Sequence, residues 1–133
     1  MTRGERNNNP LNIRRSAKTR WMGQCKMQRD REFVQFISRL FGYRAAFRIL
    51  RTYINSYGLR TLRQLIGRWA PPEDGNDTES YVAQVSRRSG VDAARQLSFG
   101  DKDALVDIVV AMAWVESVVD EDRDLVERAY YLA

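Results

Sequence analysis

Glu116 stands at the end of the most apolar stretch of this chain, where a carboxylate is out of place. Leu105, Ile108, Val109, Met112 and Glu116 follow one another at helical spacings. Leu105 and Glu116 are about three turns apart, so they share one helix face to within roughly 20°. A carboxyl on such a face, without a cation beside it, has its neutral form favoured. That is the form a general acid needs near neutral pH. The competing outcome is a structural ion pair with an arginine, or a frayed helix end that lets the group reach water.

A second group of residues with chemical content opens the chain, from Arg3 to Gly23. Asn7, Asn8 and Asn9 run into Pro10, and Asn12 follows. Pro10 disfavours helical geometry at Asn9, and Asn side chains readily bond nearby backbone. The amides are therefore available to the backbone, to one another or to a ligand. An arm tied down by Asx-turns, anchored by Leu11, Ile13 and Trp21, accounts for the pattern equally well. Among the other carboxylates, Glu5 lies in the arm. Asp30 and Glu32 are nearly alone in a basic stretch, where Arg29, Arg31 or Arg39 is expected to hold their charge; either could also be a second carboxylate facing Glu116. Trp21, Trp69, Tyr53 and Tyr57 offer flat faces for sugars or bases, though residues at helical spacing like the last three are more often core.

Composition narrows the chemistry. The chain has 133 residues, the size of one domain, with one cysteine and no histidine. Cys25 alone excludes an intrachain disulfide and a Cys-rich metal site. The missing histidine removes Ser-His-Asp and Cys-His catalysis and His-ligated zinc. Acid–base chemistry must then come from carboxylates, Lys or Tyr. No metal or cofactor is implied. No apolar run approaches the ~20 residues of a membrane span. The first thirty residues are polar and basic, without a signal core, so a cytoplasmic protein is expected as synthesised. Residues 1–69 carry sixteen Lys/Arg against three Asp/Glu, and residues 70–133 six against fourteen. This asymmetry suits an anionic partner, nucleic acid or cell wall, or the two halves neutralise each other on packing.

The positioning elements read as mainly α: one compact helical domain, with residues 1–39 an irregular arm and 40–133 a helical body. Residues 25–36 suggest a small β-hairpin or extended pair. Ala46, Ile49, Leu50, Tyr53, Ile54 and Tyr57 mark a helix from Leu40 to Tyr57, closed by Gly58. Thr61 caps the next, with Leu62, Leu65, Ile66 and Trp69 inward, ended by Pro71 and Pro72. Asn76 and Glu79 have capping-box spacing before a helix with Tyr81, Val82 and Val85 inward that ends near Gly90. Residues 91–97 suggest a short helix begun by Asp92. Asp101 is expected to cap the apolar helix from Lys102 to Val118, and the acidic turn from Asp120 to Asp124 opens a last one.

Several motifs carry a resemblance. They are Arg3-Gly-Glu-Arg-Asn-Asn-Asn-Pro-Leu-Asn-Ile-Arg14, Trp21-Met-Gly23, Asp30-x-x-Phe33-x-x-Phe36, Gly42-Tyr-Arg44-Ala45, and Arg68-Trp-Ala-Pro-Pro72 with Asn76-Asp77-Thr78-x-x-Tyr81. Over about ninety residues they resemble a family of phage and prophage proteins labelled virion structural proteins or cell-wall hydrolases. More distantly, Asn8-Asn9-Pro-Leu-Asn12-Ile13, Trp21-Met-Gly23 and the helix after them look like the lysozyme superfamily, in its glucosaminidase and lytic transglycosylase branches. There the segment follows a helix ending in Glu-Ser-Gly. Here Trp114-Val-Glu116-Ser117 looks like that helix but lies at the other end, which implies a circularly permuted lysozyme-like domain. Val118 stands where the family has Gly.

The resemblance implies peptidoglycan as partner, Glu116 as acid, Asn8, Asn9 and Asn12 on sugar hydroxyl and N-acetyl groups, and Trp21 or Trp69 stacked on a ring. A non-catalytic virion or interaction module of the same fold is the alternative. A nucleic-acid binder using Arg14, Arg15, Lys18, Arg20 and the Arg-rich helix that carries Arg44, Arg48 and Arg51 is the third reading.

Overall fold

Helix formation follows the apolar spacing and the caps. In the computed structural model, which describes residues 1–133, the helices are α1 (Arg3–Arg6), α2 (Arg39–Asn55), α3 (Leu62–Trp69), α4 (Thr78–Ser89), α5 (Lys102–Ser117) and α6 (Arg123–Leu132), with one 3-10 turn at Pro72–Asp74. No helix is long and apolar enough to cross a membrane. Thr61 and Gln64 form a reciprocal capping box at the start of α3, and Gly90 closes α4 in the left-handed conformation.

Helix α5 is the axis. Ala104, Leu105, Val106, Ile108, Val109, Ala111, Met112 and Ala113 are all buried, so it is covered on nearly every side. Helices α4 and α6 pack on it, α2 lies on α6, α3 lies on α4, and α1 meets its C-terminal end. One hydrophobic core runs through all of this, from Leu11 and Val34 in the arm to Val126 and Ala129 in α6. Tyr43 and Phe47, outside the apolar stripe read for α2, are fully buried. The Tyr43 hydroxyl and the Arg39 Nε each donate to Glu121 Oε1 at 2.8 Å. Burial first, and then the Glu121 charge, push the Tyr43 phenol far up.

Several local expectations give way. The arm contains a single-turn helix, because the Thr2 hydroxyl and the Glu5 carboxyl cap each other's backbone N–H. Residues 25–36 form no strand ladder, only isolated antiparallel bridges, Arg14 with Phe33 and Gln24 with Phe36. Residues 91–97 are not helical. Ala94 N–H bonds Asp92 Oδ1 in a local turn, and Leu97 N–H bonds the distant Arg60 carbonyl instead of one in its own segment. Asp77, not Asn76, caps α4, accepting from Ser80 N–H at 3.1 Å. Asn76 instead donates to the Pro71 carbonyl, and Glu79 pairs with Arg63 at 2.6 Å. Asp101 occupies the cap position of α5 but makes no cap hydrogen bond, since its carboxylate takes Ser98 N–H.

The arm is held by charge and by close approach. Asp30 accepts two 2.7 Å bonds from Arg3, one from Asn7, and the backbone N–H groups of Glu32 and Phe33. These donors, led by Arg3, hold its carboxyl far below the ordinary range. Arg3 and Arg14, rather than Arg29, Arg31 or Arg39, are the partners of Asp30 and Glu32. Gly4 lies so near Ser117 that a Cβ there would overlap the Ser117 Oγ. Gly4→Ala is therefore expected to destabilise the protein by about 1–3 kcal/mol in urea denaturation. Adding Ser117→Gly should recover part of the loss, and equal stability of Gly4→Ala and wild type would contradict the packing.

Candidate functional site

A cleft of about 400 Å³ opens where the arm, α2, α3 and α5 converge. The arm contributes Asn12, Ile13, Arg14 and Trp21, helix α2 gives Ile49 and Tyr53, and α3 gives Arg68 and Trp69. Pro71, Asp74 and Asn76 form one rim, and Glu116 comes from the last turn of α5. Ile49 and Tyr53 are only half-buried, so one edge of the α2 stripe faces the cleft rather than the core.

The half-buried Glu116 has no salt-bridge partner. Its Oε1 accepts from Asn12 Nδ2 at 3.2 Å and its Oε2 from the Tyr81 hydroxyl at 3.0 Å. The same Asn12 amide also donates to the Glu116 carbonyl at 3.3 Å. Desolvation is the largest influence and raises the carboxyl pKa. Asn12, Tyr81, Trp69 and, more weakly, Arg14 pull it the other way. Tyr81 is buried, and burial followed by the charge of Glu116 drives its phenol well up. It therefore stays a donor wherever Glu116 is ionised. Asn12 reaches the carboxyl from a left-handed backbone, φ 53°, which Asn tolerates better than most residues. Its Oδ1 is buried with no donor, an unmet acceptor beside the carboxyl.

Of the residues singled out in the sequence, Glu116, Asn12, Trp21 and Trp69 come together in this cleft. Asn8 and Asn9 do not line it. Asn9 has no exposed surface; its Nδ2 donates to the carbonyls of Ile13 and Val34, and its Oδ1 accepts from Ile13 N–H. Asn8 turns its amide to the Phe36 carbonyl at 3.0 Å. Both amides complete backbone hydrogen bonding in a segment with no strand ladder. Asp30 and Glu32 are likewise outside the cleft lining, so neither is a second carboxylate beside Glu116. Sequence reasoning missed Tyr81 and Asp74. Tyr81 sat on the inward stripe of α4 and looked like core. Asp74 is the other carboxylate lining the cleft, and its turn directly after the Trp69 helix was the available signal.

No family model matches the chain. Over 112 residues it is 38% identical to Protein P5 of Pseudoalteromonas phage PM2, an alignment covering 83% of this chain and 69% of the phage protein. The chain belongs to the family of that phage protein. Within this P5-family chain the turn that carries Glu116 has one strained position. Val118 closes α5 at φ 54° and ψ 42°, in the left-handed region where a β-branched residue is an outlier. The turn thus has the backbone a glycine would supply, with valine in its place. Val118 is largely exposed, so little packing is lost on truncation. The left-handed cost is about 1–2 kcal/mol for an L-residue, against roughly 0.5–1 kcal/mol of added chain entropy for glycine. Val118→Gly is therefore expected to raise stability by about 0.5–1 kcal/mol in urea denaturation.

Proposed function

We propose that this phage protein is directed at peptidoglycan and cleaves its glycan strands, with Glu116 as the acid. The supporting observation is a carboxyl with raised pKa, free of any ion pair, in the wall of a cleft lined by Trp21, Tyr53 and Trp69. Glu116 donates its proton to the glycosidic oxygen as the C1–O bond breaks, through an oxocarbenium-like transition state. The resulting carboxylate then takes a proton from the nucleophile that attacks C1. A water molecule there makes the protein a hydrolase, and a hydroxyl of the same sugar makes it a lytic transglycosylase. Asn12 and Tyr81 hold the carboxyl in one place throughout. The left-handed backbone at Val118 supports the likeness to Glu-Ser-Gly, because it is a conformation that glycine adopts readily.

A non-catalytic virion module that grips glycan without cutting it is the second reading. The exposure of Asp74, the other carboxylate of the lining, favours it, because a hydrolase of two-carboxylate type would need a positioned partner. Nucleic-acid binding has less behind it. Part of the basic surplus is engaged inside the chain, where Arg44, Arg48 and Arg51 donate to the carbonyls of Leu132 and Ala133.

Glu116→Gln keeps both contacts, since the Tyr81 hydroxyl can accept as well as donate. It is expected to lower the rate of clearing of a peptidoglycan suspension by about 10²-fold or more. Unchanged clearing removes the acid assignment, and no clearing by the wild type leaves the module reading. The pH profile gives a separate check. An acid must be protonated to act, so activity falls as pH rises through the Glu116 pKa. Tyr81→Phe removes a hydrogen bond that favours the carboxylate, so the alkaline limb is expected to move to higher pH.

A further inference from the structure

We propose that the cleft continues beyond the Glu116 region into a second compartment, and that Arg68 there binds a carboxylate carried as a substituent on the glycan. This rests on the reading of the cleft as glycan-directed and adds to it a preference for charged over neutral strands. A second, shallow depression of about 600 Å³ lies beside the first, and the two share Tyr53, Arg68 and Pro71. Shared lining residues make the two neighbours on one face, a surface suited to an extended ligand.

The charge of the two parts differs. The first compartment contains the carboxyls of Asp74 and Glu116 beside Arg14 and Arg68. The second is lined by Tyr53, Leu59, Gln64, Gly67, Arg68 and Pro71, in which Arg68 is the sole charged side chain. The guanidinium centre lies 4.2 Å from the Tyr57 ring centroid and 5.3 Å from that of Tyr53. No acidic group of the chain forms a salt bridge with it; most arginines of this basic chain share that, and Arg68 differs from them in lining both compartments while lying over two rings.

Stacking on the rings orients the guanidinium plane and lowers the entropy lost on engaging a ligand. Its edge then presents a fork of N–H donors matched to a carboxylate. A neutral sugar ring has no use for an unpaired cation. The stem-peptide carboxylates of peptidoglycan do, as does the lactyl carboxylate where a strand lacks its peptide, and Tyr53 with Trp69, ring centroids 6.3 Å apart, supplies the apolar wall for the sugar beside them.

The test uses calorimetric titration of Glu116→Gln protein, which leaves the strands uncut. Three probes are compared: soluble peptidoglycan strands bearing stem peptides, the same strands with their carboxyls methyl-esterified, and a neutral chitooligosaccharide of equal length. Adding Arg68→Gln is expected to weaken binding of the charged strands by about tenfold. Binding of the esterified and neutral probes should change by less than about twofold, since neither offers a charge to Arg68. Adding Arg68→Lys, which keeps the charge without the fork, should give an intermediate loss for charged strands only. Equal losses for all probes would make Arg68 a structural residue and overturn the proposal, as would no loss for any. So would a loss seen for a single-stranded oligonucleotide but not for the strands. Arg68-dependent binding in a wild-type protein that cuts nothing would keep the compartment and end the catalytic reading. Glu116-dependent cutting with Arg68-independent binding would do the reverse.

Discussion

The docking of the N-terminal arm on the end of α5 is the contact from which the cleft follows. Three interactions close it. Gly4 lies against Ser117 with no room for a side chain, the Ser117 hydroxyl donates to the Pro10 carbonyl at 2.7 Å, and Asn12 bonds both the carbonyl and the carboxyl of Glu116. They bring together segments more than a hundred positions apart in the chain. Without them Glu116 would stand on a helix end open to water, and its carboxyl would ionise like any other. Half-burial by the arm, α3 and α4 is what raises its pKa.

The arm solves a hydrogen-bonding problem that a sheet would solve with a ladder. Val34 and Leu11 are buried there, and the backbone around them needs partners. Side-chain amides supply them: Asn9 to Ile13 and Val34, Asn8 to Phe36, and Gln28 to Cys25 and Gln35. Asn7 and Asp30 extend this to Arg3, so that one charged cluster pins the start of the arm to the loop before α2. Such amides suit the irregular path because Asn accepts left-handed geometry, as Asn8 and Asn12 do. This work leaves Asn12 alone among them at the cleft.

Electrostatics separates two kinds of carboxylate. Asp30 and Glu121 are nearly buried and matched with guanidinium groups, so their charges belong to the fold. Glu116 has no salt bridge, and its donors are neutral: the Asn12 amide, the Tyr81 phenol and the Trp69 indole. Neutral donors favour a carboxylate less than a guanidinium does, and at Glu116 desolvation outweighs them. The basic first half and the acidic second half meet in pairs such as Arg39–Glu121 and Arg63–Glu79. The net asymmetry in sequence is in this way partly cancelled in space.

The five longer helices were legible from apolar spacing and turn residues, because both signals are local and depend on few neighbours. So was the anomaly of Glu116, since a carboxylate on an apolar stripe is visible from its own helix alone. The one-turn α1 was too short to show a period, and residues 91–97 had a helical look that bonds to the start of α3 overrode. The fates of the asparagines were decided only in three dimensions. Asn9 and Asn12 are three residues apart and chemically identical, yet one is sealed in the arm and the other faces the cleft. The backbone turn between them, and the helix end that arrives from the far side of the chain, determine which amide finds a carbonyl and which finds the carboxyl. Local composition by itself specified the helices and the kinds of group available. Long-range packing chose which of those groups share a cavity, because burial and hydrogen-bond partners are properties of neighbours that the sequence does not place side by side.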